Sequence, residues 1–395
     1  MLQRSIRVGI VWLLLLLAGT IALAQERGVP PGVQLQQSET TGREAWTFST
    51  GVGANYDSNV LFVSGPDPTS DISNRLQVAL ARNWTLRRGS LSLSGDVAQP
   101  FYRTESALNS LRYNFAGGIT YALTRRLSFD ANSSLSSSLA QDASVITDTG
   151  VILPSVTART GSTSTALSYS LSPKTKLSWT LSHTGAGFES TVFRGGSSVS
   201  SGVSVTRQLN RGQSFGVSGS YTLNFQDAGS ANIQTYLATW QGSIGRRWTV
   251  FASGGVRPYT IPEEEGYRFS PAATVGVRRQ IRQGQTIGAS YDYTIEQAFG
   301  LDQTHLVHTV AGNYEFSWAR RYNASFGASY SNGIYPLLPD VKLIGELADA
   351  SFAYKILNDL SLAINVSAYS RAVRPDPAVS AYRAGVSLIY QRSWH

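Results

Sequence analysis

The chain has 395 residues, a formal net charge of +8, no cysteine and only 15% charged residues. The absence of cysteine excludes a lipoprotein anchor, a disulfide framework and a thiolate metal site, and the charge content is low for a soluble domain. The basic balance does not point to nucleic acid, because the arginines fall in short turns two strands apart rather than along one helix or groove.

Residues 1–24 read as a cleaved signal peptide: Arg4 and Arg7 precede an apolar run from Val8 to Leu17, and Ala22-Leu23-Ala24 supplies small residues before a cleavage site. The run is too short for a permanent membrane helix, and no later segment could serve as one, so membrane residence must come from strands. Residues 25–44 contain Pro30-Pro31 and little apolar pattern, and read as a flexible periplasmic lead-in.

From residue 45 to 395 the sequence alternates apolar and polar side chains in run after run. The first places Trp46, Phe48, Thr50, Val52, Ala54 and Tyr56 on one face, with Ser49, Gly51, Gly53 and Asn55 on the other. Short, mostly basic turns begin near Arg87, Thr124, Pro173, Asn210, Gly245, Arg282, Ala319 and Leu357, at gaps of 37, 49, 37, 35, 37, 37 and 38 residues. Each interval holds two runs of roughly ten to thirteen residues. Eight tight turns alternating with nine looser loops predict an all-β fold, a transmembrane up-and-down antiparallel β-barrel of about 18 strands with both termini in the periplasm. The outer loops are expected near 57–74, 103–110, 141–160, 189–196, 226–232, 261–266, 299–304, 335–340 and 372–379. The Ser- and Thr-rich runs five to eight carry the weakest pattern. A β-propeller also repeats at about 40 residues but needs four short strands per unit, whereas these units hold two long ones. Trp84, Trp248, Trp318, Tyr322 and Trp394 near run ends suit interfacial aromatic girdles. The last run, with Val386, Leu388, Tyr390 and Trp394, carries the terminal alternation of outer-membrane barrels, interrupted by Arg392 and extended by His395. The expected location is therefore the outer membrane of a Gram-negative cell, among outer-membrane lipids.

Opposite the apolar stripe fall Asp96, Arg112, Asp130, Arg257, Arg268, Arg278, Asp292, Glu296, Glu315, Asp349 and Arg383, the candidate pore-lining residues. Ser200, Gly202, Ser204, Thr206, Ser218, Ser220, Thr222 and Asn224 share that parity. Small polar side chains do not fill a lumen, and eighteen strands enclose enough width for an aqueous channel. The bland reading is that these charges only pair with neighbours along a wet wall.

Catalysis has little support. His183 and His308 share the parity of the apolar stripe, His395 is terminal, and His305 faces inward at the outer rim without a serine motif. There is no metal-ligand cluster, phosphate loop or nucleophile elbow, so neither an enzyme nor a cofactor is expected. Glu263-Glu264-Glu265 reads as a solvated loop rather than a cation site.

The nine outer loops hold 14 acidic residues against Arg103, Arg159, Arg194 and Arg374, whereas seven of the eight inner turns carry Arg or Lys, as in Arg125-Arg126, Arg246-Arg247 and Arg320-Arg321. These basic turns suit inner-leaflet phosphates, or a docking ring for an anionic surface on a periplasmic partner.

The segment Gly53-Ala54-Asn55-Tyr56-Asp57-Ser58-Asn59-Val60-Leu61-Phe62, followed by Ser70-Asp71, resembles the opening of a porin-like family of outer-membrane β-barrels that accompany exopolysaccharide biosynthesis and secretion genes. The resemblance in strand rhythm spans residues 45 to 395. It implies a passive outer-membrane conduit for exopolysaccharide export, with a glycan cargo and a periplasmic polysaccharide-export apparatus as partner, and it brings no catalytic or binding residues with it. The alternative is a general or sugar-selective diffusion porin for small solutes, which requires a constriction. The third outer loop, near Gln141 to Thr160, is long enough to fold inward and contains Ile146, Val151, Ile152 and Leu153.

Overall fold

The computed structural model describes residues 45–394 apart from 65–66, 141–154, 191–192, 227–228, 262–265, 299–302, 320, 337 and 375–376. The signal-peptide and lead-in assignments, the apolar tip of the third outer loop and the three glutamates at 263–265 lie outside the described residues.

Eighteen strands follow one another. The first six are β1 (Ala45–Asp57), β2 (Asp71–Leu86), β3 (Gly89–Tyr102), β4 (Arg112–Ala122), β5 (Leu127–Leu139) and β6 (Thr157–Ser172). The middle six are β7 (Thr175–Phe188), β8 (Gly196–Asn210), β9 (Gln213–Gln226), β10 (Gly229–Ile244), β11 (Trp248–Tyr259) and β12 (Arg268–Arg282). The last are β13 (Gln285–Ala298), β14 (Gln303–Trp318), β15 (Tyr322–Tyr335), β16 (Leu338–Lys355), β17 (Leu360–Arg374) and β18 (Val379–Trp394). Each pairs antiparallel with its sequence neighbours, and β1 pairs with β18 from Trp46↔Trp394 to Asp57↔Arg383, so the sheet closes on itself. Closure leaves no unpaired edge, the condition for carrying strands through hydrocarbon. All eight expected tight turns lie at one end of this sheet.

The two faces separate by parity. Val52, Leu76, Val78, Leu93, Phe115, Val203, Phe215, Val275, Val310, Phe326 and Val386 all stand exposed on the outer face. In a soluble protein this apolar exterior would aggregate; in a bilayer it is the lipid-facing belt. At the periplasmic end aromatic and basic side chains form a girdle. Trp46 and Trp84 meet edge-on at 6.2 Å with Arg82 lying 4.8 and 4.7 Å from their rings, Arg279 covers Trp248, and Tyr322 stacks between Trp318 and Tyr354. An even number of strands, tight turns at one end and an apolar belt with an interfacial girdle define the type. The chain is an outer-membrane β-barrel.

Candidate functional site

The interior of the barrel is unevenly filled. Towards the periplasm, the turns and lower walls of β6–β10 enclose a vestibule of ≈ 620 Å³ lined by polar residues such as Ser178, Thr206, Gln208, Ser214 and Gln241. Towards the outside the interior is packed, and the first outer loop does much of the packing. Asn59 to Phe62 makes a tight turn, with the Phe62 amide donating to the Asn59 carbonyl at 2.9 Å. Phe62 takes a left-handed φ of 50°, uncommon for a bulky residue. Val60 and Phe62 are both fully buried. Phe62 sits in a cluster with Tyr369 of β17 and Val379 and Ala381 of β18, while Val60 packs with Leu108 and Leu139. Each such burial stabilises by about 1.5–3 kcal/mol.

Polar contacts latch this turn to the wall. The Asn59 side-chain amide donates to the Val63 carbonyl at 3.0 Å and the Ser380 carbonyl at 3.4 Å, and its oxygen accepts from the Val63 amide. The Asp57 carboxylate accepts from the Asn59 amide and pairs with the Arg383 guanidinium. The Arg371 guanidinium lies 5.5 Å from the Phe62 ring centroid. From the third outer loop, just before β6, Ser155 donates its amide to the Leu61 carbonyl and its hydroxyl to the Val60 carbonyl.

A second cluster joins walls that are nearly half the circumference apart. Ala140 and Ala158, beside β5 and on β6, pack with Tyr335 of β15 and Leu343 of β16. Next to them His305 is fully buried, its ring 6.0 Å from that of Tyr335. Gly333 makes room for it, since a Cβ there would stand 2.9 Å from the His305 ring.

The candidate pore-lining residues occupy the interior face in two tiers. In the outer tier, Arg112 donates to the Tyr102 hydroxyl at 2.9 Å, Arg257 to the Thr294 hydroxyl, Arg268 to the Pro336 carbonyl at 3.2 Å, and Arg383 to Asp57. Glu296 stands in register with His305. Lower down, Asp96 accepts from Asn114 at 3.3 Å, Asp292 from Thr274, and Arg278 meets Glu315 at 3.4 Å. Asp130 stands in register with Thr120 and Ala166, and Asp349 with Gly327 and Ser367. The fold brings Arg257, Arg268 and Arg383 to the packed zone and leaves Asp130 and Glu315 near the periplasmic mouth.

Charged interior residues missed by the sequence reading include Arg75, Arg371, Asp57, Asp71 and, in the periplasmic vestibule, Lys176. Arg75 and Arg371 carry the same parity signal as the eleven, opposite Leu76 and Ser370. Asp57 and Asp71 were assigned to a loop, whereas they end β1 and begin β2 directly opposite one another. The Asp71 carboxylate accepts from the amides of Ile72, Thr104 and Glu105, pinning the second outer loop to the wall. With these included, Arg75, Arg112, Arg257, Arg268, Arg371 and Arg383 all lie within five residues of the outer end of their strands. Asp96, Asp130, Asp292, Glu315 and Asp349 lie below them. Asp57, Asp71 and Glu296 share the outer tier and Arg278 and Lys176 the lower one, so among these residues basic groups outnumber carboxylates six to three towards the outside and carboxylates outnumber basic groups five to two below.

No family model matches this chain, and no curated protein matches it. Among solved structures it is similar to Acinetobacter baumannii OccAB4, at 10% identity over 89% of this chain and 98% of that one, with a TM-score of 0.48. Pseudomonas aeruginosa OpdK, solved with vanillate, is 11% identical over 89% and 99% of the two chains, also at 0.48. The siderophore receptor PirA of Pseudomonas aeruginosa gives 9% identity over 88% and 80%, at 0.41. Likeness this remote says nothing about what crosses the interior.

Proposed function

We propose that the barrel is a passive diffusion channel for small hydrophilic solutes, with a preference for anions, and that it does no catalysis. The observation that carries this reading is the inward-folded first outer loop, with Val60 and Phe62 buried against β17, β18 and the β5 wall. A polymer conduit needs a wide, unobstructed lumen. A selective pore needs a constriction, and here the inward loop lies at the tier where six arginines stand with three carboxylates, Asp57, Asp71 and Glu296, a net positive level at which low local dielectric strengthens each charge. The segment whose resemblance suggests exopolysaccharide export is the very segment that narrows the lumen, which favours the small-solute alternative.

The purified protein in a planar bilayer, under a potassium chloride gradient, tests the reading. The expected result is a small, steady conductance with a reversal potential displaced towards anion selectivity, and no blockade by the host's exopolysaccharide. A large conductance interrupted by polymer-dependent blockades would return the reading to export, and no conductance at all would leave a structural barrel.

A further inference from the structure

The outer face at the seam between the last strand and the first carries two cations with no counter-charge beside them. Arg82 of β2 and Arg392 of β18 share the parity of exposed Val78, Leu80, Leu388 and Tyr390, and both fall within the last five residues of their strands, at the periplasmic end. The outward positions of β17, β18, β1, β2 and β3 include no carboxylate. Asp359, in the turn before β17, makes no ion pair with either arginine among the described residues. A lone arginine on the lipid face is costly unless it reaches the membrane interface and an anion there.

Arg82 is held in place. Its guanidinium lies 4.8 Å from the Trp46 ring centroid and 4.7 Å from that of Trp84, distances at which a ring face attracts a cation. Neither ring neutralises the charge, and Arg82 Nε is buried with no hydrogen-bond partner among the described residues. Arg82 stands opposite Trp46 and Arg392 opposite Phe48, two positions further along β1. The strands that carry the arginines flank β1 on either side, so strand spacing and rise put their Cα atoms about 12 Å apart. Two extended side chains can span that distance to meet at one head group. Trp394, in register with Trp46, completes the set.

We propose that Trp46, Arg82, Trp84, Arg392 and Trp394 bind one anionic phospholipid of the periplasmic leaflet through its phosphate, and that this lipid clasps β18 to β2 across β1. Phosphate is the anion that this level of the membrane offers, and a guanidinium takes it through paired N–H donors. Arginine and the indole N–H donate and never accept. A glycerol head group presents only acceptors and hydroxyls to such a set, whereas an ethanolamine head group adds an ammonium for which no acceptor stands by. The site therefore selects phosphatidylglycerol over phosphatidylethanolamine. A lipid that binds only the closed barrel also stabilises closure. The site lies on the outer face and is independent of what crosses the lumen.

Native mass spectrometry of the purified barrel, offered equal amounts of phosphatidylglycerol and phosphatidylethanolamine, tests the site. The expected result is one phosphatidylglycerol retained in preference to phosphatidylethanolamine by about tenfold, as a single charge-assisted contact can give. Arg82→Gln combined with Arg392→Gln should abolish the preference, and Arg279→Gln, beside Trp248 on β12, should keep it. The folded band on an unheated gel should survive to a higher temperature from vesicles containing phosphatidylglycerol than from phosphatidylethanolamine alone, and the double variant should lose that difference. Equal retention of the two lipids by the unmodified protein would overturn the proposal without any variant. A preference that survives the double variant, or that Arg279→Gln removes, would overturn it as well. Displacement of the lipid by millimolar inorganic phosphate would make the site one for free anions instead.

Discussion

Asp57 and Arg383 face each other across the strand pair that closes the barrel, carboxylate against guanidinium, with side chains only 9% and 15% exposed. The pair does two things. It fastens the seam between the first and last strands, and it fixes the base of the loop that enters the lumen, because Asp57 also holds the Asn59 amide and Arg383 lies 5.1 Å from the Tyr369 ring against which Phe62 packs.

Breaking one side of this pair is expected to cost more than removing both. Asp57→Asn leaves a guanidinium in a dry site, a loss of about 3–5 kcal/mol for a buried pair. Asp57→Asn combined with Arg383→Gln should recover part of it. The temperature at which the folded, fast-migrating band disappears on an unheated gel reads both. Equal loss in the single and double variants would mean that the pair is not coupled.

Phe62→Ala should raise single-channel conductance. The substitution removes the ring that fills the space between Tyr369, Val379 and Ala381, with a local packing loss of about 3–5 kcal/mol. Unchanged conductance would place the limiting constriction elsewhere, at the cluster of Tyr335 and Leu343.

Asn59→Ala should free the turn without removing its apolar tip. Three hydrogen bonds to Val63 and Ser380 are lost, and each backbone group left unpaired costs about 1–3 kcal/mol. The expected signature is a noisier current with brief openings above the wild-type level, and a current as quiet as wild type would show that packing alone holds the loop.

Arg75→Gln together with Arg371→Gln should move the reversal potential towards cations. The effect should be larger at low salt, since the screening length is about 10 Å at 0.1 M and about 30 Å at 0.01 M. A reversal potential indifferent to both changes would remove the arginine tier as the source of selectivity.

The sequence by itself determined the strands, their number, their turns and which residues share a face. Alternation along a strand and residues such as Asn210-Arg211-Gly212 at a turn are local properties, and local properties are written in local sequence. Parity placed Asp96, Asp349 and Arg383 opposite the apolar stripe without knowledge of any neighbour. Only the tertiary structure decided which loop turns inward. Val60 and Phe62 of the first outer loop are buried because closure brings Tyr369, Val379 and Ala381 beside Phe62 from the far end of the chain, while the apolar residues of the third loop lie outside the described residues. The meeting of β1 with β18, of Asp57 with Arg383 and of Ala158 with Tyr335 has the same origin. Contacts between residues hundreds of positions apart arise from ring closure, and no period in the sequence encodes them.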